Sequence, residues 1–182
     1  MPVDPQAVLA FWFADGMQRR WFNATPALDA EIRARFEDTW RQAAAGELDS
    51  WAATADGALA LAIVLDQFPL NMFRGQSASF STEAKAVSIA LDAVARGLDR
   101  QLAHARLAFL YLPLMHSEDL ADQDRSVHLF EQAGLDANAR FARHHRELIR
   151  RFGRFPHRNR ALGRDSTAEE LAYLASDQAF TG

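Results

Sequence analysis

The residues able to do chemistry gather in three places. The first is Leu65-Asp66-Gln67-Phe68-Pro69. Asp66 closes the most apolar stretch of the chain and continues the face of Leu59, Ala62 and Ile63 at helical spacing. A carboxylate there meets the negative end of a helix dipole, at a cost of about 0.3–1 kcal/mol. Burial without a partner costs more. Asp66 therefore needs a cation or several donors, either as a structural ion pair with an arginine or as a ligand-binding or catalytic carboxylate. Gln67 shares its surroundings.

The second is His116-Ser117-Glu118-Asp119, which follows an apolar segment broken by Pro113. Ionisable groups crowded at the end of an apolar helix shift one another's pKa. His116 and Glu118 are thus candidates to move a proton. The plainer reading is a helix junction with capping roles for Ser117 and Asp119. Four residues on from Asp119, Gln123 lies between Leu120 and Val127 on the inward stripe. A buried amide needs hydrogen bonds, and His116 or Glu118 can supply them.

The third is residues 140–164, with nine arginines, three histidines and a single acid, Glu147, a formal +8 against −12 for the rest. The chain has 19 arginines and one lysine, Lys85. Arginine suits planar, two-pronged pairing with carboxylate or phosphate. Arg151, Arg154, Arg158 and Arg164, with His157 and Asn159 between them, either dock on acidic groups such as Asp66 and Glu118 or also hold a bound anion. His145 sits on the stripe of Phe141, Leu148 and Phe152, as a hydrogen-bonded core histidine or a member of the site. His144 and Glu147 have H-x-x-E spacing, but neither HExxH nor a second E-x-x-H accompanies them, so no metal and no cofactor is expected.

Helices must position these groups. Asp4-Pro5 and Thr25-Pro26 each read as a cap followed by proline in the first helical position. The first helix runs to about Phe13. The second carries Leu28, Ile32, Phe36 and Trp40 and ends at Gly46. Asp56 is expected to cap a helix over 57–67 that is apolar all round, hence enclosed, and that Pro69 ends. Ser81 or Thr82 opens the next, with Ala84, Val87, Leu91 and Val94 inward. A helix over 104–115, interrupted by Pro113, should kink or shift its register there. A helix over 119–132, with Leu120, Val127 and Phe130 on one side, is followed by one that Asp136 caps and that runs to about Phe152, with Phe141, Leu148, Ile149 and Phe152 inward. Residues 153–165 lack periodicity and read as a loop anchored by Phe155 and Leu162. Ser166 with Glu169, or Thr167 with Glu170, matches a capping box for a last helix.

That makes eight or nine helices and no convincing strand, an all-α fold. Short links favour antiparallel hairpins stacked in order. At 182 residues, one domain over 1–182 is expected. The absence of cysteine excludes disulfides, thiol catalysis and cysteine-ligated metal. A net charge of −4 argues against general nucleic-acid binding. No apolar run approaches the roughly 20 residues that span a bilayer, and Ala7–Ala14 lacks the flanks of a secretory signal, so a cytoplasmic protein is expected. Nucleotide-loop and serine-nucleophile motifs do not occur.

Phe11-Trp12-Phe13, Trp21-Phe22, Leu65-Asp66-Gln67-Phe68-Pro69, Phe73-Arg74-Gly75, Leu112-Pro113, the HSED run with Gln123, and Arg151-Phe152-Gly153-Arg154-Phe155-Pro156-His157-Arg158-Asn159 with Leu162-Gly163-Arg164 and Ser166-Thr167 stand in this order. Together they resemble the bacterial family called domain of unknown function 924. The resemblance spans nearly the whole chain. It implies a tetratricopeptide-like helical fold and no particular reaction. The family's usual DQFPRN has arginine where Leu70 stands here, which leaves one cation fewer near Asp66 unless Arg74 substitutes.

Two functions follow from these residues. In one, Asp66, His116, Glu118 and the arginine loop line a groove for a small carboxylate or phosphate ligand, with acid–base chemistry open to it. In the other, a tetratricopeptide-like stack grips a peptide, its terminal carboxylate on the arginines. A third possibility is that the polar motifs only hold the fold.

Overall fold

The computed structural model describes residues 3–180 except 22 and 24, so Phe22 of the Trp21-Phe22 motif lies outside the described residues. Every regular element among the described residues is helical. The α-helices are α1 (Pro5–Trp12), α2 (Pro26–Ala45), α3 (Ala55–Ala62), α4 (Phe68–Met72), α5 (Glu83–Ala95), α6 (His104–His116), α7 (Leu120–Gln132), α8 (Asp136–Phe152) and α9 (Ala168–Leu174), linked by short 3-10 turns and one π-turn. The chain groups into two compact units, Met1–Arg74 with Ala78–Pro113, and Gly75–Ser77 with Leu114–Gly182.

In the first unit the local capping chemistry sets the helix starts. Asp4 Oδ1 accepts from the Ala7 N–H at 2.8 Å, and Thr25 Oγ1 from that of Leu28 at 3.3 Å. The cap of α3 is Thr54, not Asp56: its hydroxyl accepts from the Gly57 N–H at 3.1 Å. Asp56 lies instead in the first turn, where its charge still suits the dipole. Helix α3 is buried except at Asp56, packs against α1 and α5, and meets an aromatic core in which the Phe36 ring lies 5.0 Å from Phe11 and 4.7 Å from Phe68.

Pro69 does not end this helix. It is absorbed by a π-turn over Ile63–Gln67 that joins α3 to α4 without a break. A proline has no N–H, and its ring strikes the carbonyl four residues back, here that of Leu65. Widening one turn relieves that clash, and the Phe68 N–H donates to Ile63 instead. The stranded Leu65 carbonyl is taken by Thr82, whose hydroxyl donates at 2.6 Å and accepts from the Trp40 indole at 3.1 Å. Asp66 and Gln67 are thus displayed from a π-turn, a feature frequent at functional sites.

In the second unit α7 and α8 form an antiparallel hairpin. Arg143 meets Glu131 at 2.6 Å near the turn, and Arg150 meets Asp124 at 3.4 Å further along. Three sequence expectations fail here. Phe141 is 59% exposed and Leu120 42%. The buried edge of α8 runs through Ala139, Ala142, His145, Leu148 and Ile149, whose small first members allow close approach to α7 and leave Phe141 outside. Asp136 makes no capping bond; the cap position is Leu135. Helix α6 runs from His104 to His116 with Pro113 inside it. The capping box of α9 is the Thr167–Glu170 alternative.

Candidate functional site

Residues 153–165 leave α8 at Gly153, which takes a positive φ of 69° that only glycine adopts without strain. The loop then turns on Phe155, fully buried, and on a 3-10 turn over Pro156–Arg158. Leu162, the other expected anchor, is only partly buried.

Two carboxylates tie this loop down. Glu118 accepts from Arg164 Nη1 at 2.7 Å and Nη2 at 2.9 Å, and from the Phe155 N–H at 2.8 Å. Glu170 accepts from Arg154 Nε at 2.6 Å and Nη2 at 2.9 Å, and from the Thr167 N–H at 2.8 Å. Asn159, 1% exposed, joins the two clamps. Its amide donates to Glu170 at 3.2 Å, and its carbonyl accepts from Arg164 Nε at 3.0 Å. Arg154, Glu170, Asn159, Arg164 and Glu118 therefore form one continuous polar chain. Arg158 is buried, its guanidinium 4.7 Å from the centre of the Phe155 ring, and it donates to the His116 carbonyl at 2.7 Å.

The electrostatics follow. Burial pushes the Glu118 carboxyl up, but Arg164, the Phe155 N–H and Arg158 outweigh it, and the net result is a lowered pKa. Glu170 falls to about 2, chiefly through its bonds from Arg154. Both acids are held ionised, with oxygens already committed to donors. That suits them to fixing guanidiniums rather than to trading protons near neutrality.

Beside this network lie three histidines. The His145 ring is 6.4 Å from that of His116 and 5.4 Å from Phe155, and His157 is 5.7 Å from Phe155. His145 Nδ1 is 2.8 Å from the Phe141 carbonyl, so it carries the proton and donates. Burial, then the neighbouring His116, lowers its pKa to about 3. Burial, then Arg158, lowers that of His157 to about 4. Gln123 is fully buried, but its donors go to the carbonyls of Met115 and Ser117, at 2.7 and 2.6 Å, rather than to His116 or Glu118. Backbone carbonyls left over at the end of α6 are the nearer acceptors.

Arg151 pairs with Glu169 at the surface, at 2.7 Å. In the first unit, Asp66 and Gln67 are each 5% exposed, and the Gln67 amide donates to Asp66 at 2.6 Å. Arg74 is taken up by Asp29, at 3.0 and 3.1 Å, not by Asp66. Asn71 donates to the same carboxylate at 2.8 Å. Glu147 meets Arg150 at 2.8 Å, which accounts for the H-x-x-E acid. The sequence reading missed Asp29, which only a contact across 45 residues reveals. Glu170 had a visible capping signal but none for its second role as the partner of Arg154.

These are the traits of an all-helical protein with an arginine–carboxylate lock. Residues 8–178 match the model of the family described as bacterial protein of unknown function DUF924, and the chain belongs to that family. It is similar to a solved structure of a protein of unknown function, ATU0120, from Agrobacterium tumefaciens, with 39% identity, a TM-score of 0.89, and coverage of 94% of this chain and 96% of that one. No curated protein matches it in sequence.

Proposed function

We propose that the second unit binds a small anionic molecule bearing a carboxylate or phosphate, with the arginine loop as its scaffold. The observation that carries this reading is a set of buried polar atoms. Ser126 Oγ and His157 Nδ1, each able to donate to an anion's oxygen, have no hydrogen-bond partner among the described residues, and Ser126 is fully buried. Folded proteins satisfy nearly all such atoms, and each one left bare costs about 1–3 kcal/mol. They lie in the unit that also holds Arg154, Arg158 and Arg164 in fixed orientations, and prepositioned donors lower the cost of binding.

Thermal denaturation against phosphate and a panel of mono- and dicarboxylates tests it. At matched ionic strength, at least one anion should raise the melting temperature beyond chloride, and Arg158→Lys should abolish the gain. Equal shifts with every anion would defeat the reading. The peptide alternative draws on one observation, the exposure of Phe141 (59%) on α8. Stabilisation by peptides with a free terminal carboxylate, but not by small anions, would favour it.

A further inference from the structure

After α9 the chain turns back on itself. The Ser176 hydroxyl donates to the Tyr173 carbonyl at 2.6 Å, and the Ala179 N–H to the Ser176 carbonyl at 3.1 Å. This brings Phe180 onto the histidine pair. Its ring stands edge-on to His145 at 4.6 Å and to His157 at 5.1 Å, and its N–H donates to the Tyr173 hydroxyl at 2.8 Å. The ring joins the small core of Leu148, Ile149, Phe155 and Tyr173.

The hold is slight. Residues 175–178 are exposed, and Ala179 and Phe180 are only partly buried. Segments with few buried contacts open locally at little cost. What lies beneath is unusual. His145 spends its only ring proton, when neutral, on the Phe141 carbonyl, so its Nε2 carries a lone pair, and His157 Nδ1 is buried without a partner among the described residues. The groups facing the two rings are His116 from α6, His144 on α8, and Glu118, Arg158 and Arg164. The cations and imidazoles among them oppose a positive charge there, and burial opposes it most.

We propose that residues 176–180 are a detachable strap, and that Phe180 is the plug that shuts two imidazoles, His145 and His157, away from solvent until the strap lifts. Lifting removes the aromatic cover from both rings and lets water or a ligand reach their unprotonated nitrogens. This inference does not rest on the anion reading.

Two measurements test it. Diethyl pyrocarbonate labelling at pH 7, mapped by mass spectrometry, should modify the exposed His128 and His144 equally in wild type and in Phe180→Ala. His145 and His157 should react slowly in wild type and at least tenfold faster in the variant. Unchanged labelling of the pair, or wild-type labelling as fast as His128, overturns the proposal. Hydrogen exchange on the wild-type chain supplies the second arm, independent of how the variant folds. The Phe180 amide should exchange at least a hundredfold faster than that of Ile149. Equal protection means the strap does not detach, and the proposal fails.

Discussion

Arg164 grips both oxygens of Glu118, at 2.7 and 2.9 Å, across 46 residues of sequence. The pair fixes the loop after α8 to the junction between α6 and α7, and the Phe155 N–H donates to Oε1 of the same carboxylate. Glu118→Gln should leave Arg164 with a poorer acceptor. Both side chains are about a quarter exposed, so the loss is below that of a fully buried pair. We expect about 2 kcal/mol, a fall of roughly 4–8 °C in melting temperature for a chain of this size. Chemical denaturation of the two proteins measures it.

Acid should unfold the protein from an early point. His145 and His157 titrate at about 3 and about 4 when folded, below the ordinary histidine value near 6.5. Between those limits the unfolded chain binds more protons, so stability falls as pH drops below about 6.5. Glu170, at about 2 when folded, loses its contribution lower down, from about 4.5 towards 2, and Glu118 acts in the same direction. The slope of stability against pH between 6 and 4.5 should therefore approach two protons, about 2.7 kcal/mol per pH unit. Replacing both histidines by glutamine should flatten it, as urea titrations at several pH values would show.

Thr82→Val should be costly although it conserves shape. It strips the donor from the Leu65 carbonyl and the acceptor from the Trp40 indole. Leaving those groups without partners predicts a loss of about 1–3 kcal/mol, while Thr82→Ser should keep most of the stability. A denaturation series over the three proteins decides it.

Gly57→Ala should invert the usual rule. Alanine in a helix normally gains about 1 kcal/mol over glycine. Here an added Cβ would lie 1.9 Å from the Trp51 carbonyl oxygen, which is backbone and has no easy way out. Destabilisation of about 1–3 kcal/mol is expected, read as a lower denaturation midpoint.

Much of the helical frame was legible because its signals are local. Asp4-Pro5, Thr25-Pro26 and Thr167 with Glu170 each place a cap within three or four residues of its target. Reading Pro69 as a stop failed for the opposite reason: the hydroxyl that rescues the Leu65 carbonyl comes from 17 residues away. Phe141 failed because periodicity names a helix face but not what covers it. The acidic run at Glu118 and the arginine loop were each visible, yet their exact partnership, with Asn159 as the joint, depends on loop geometry that no spacing rule encodes. The choice of Asp29 for Arg74 is of the same kind.

The π-turn at Ile63–Gln67 also fixes where this helix tolerates a change in length. It is in effect an α-helix carrying one residue more than its pitch requires. A single deletion inside it would restore a plain spiral and keep Phe68 facing the aromatic core. The same shortening would drive the Pro69 ring back against a carbonyl and turn Asp66 and Gln67 out of their present setting. A shorter version of this segment is compatible with the fold only if the proline is given up, and giving it up also removes the reason for Thr82 to serve the helix.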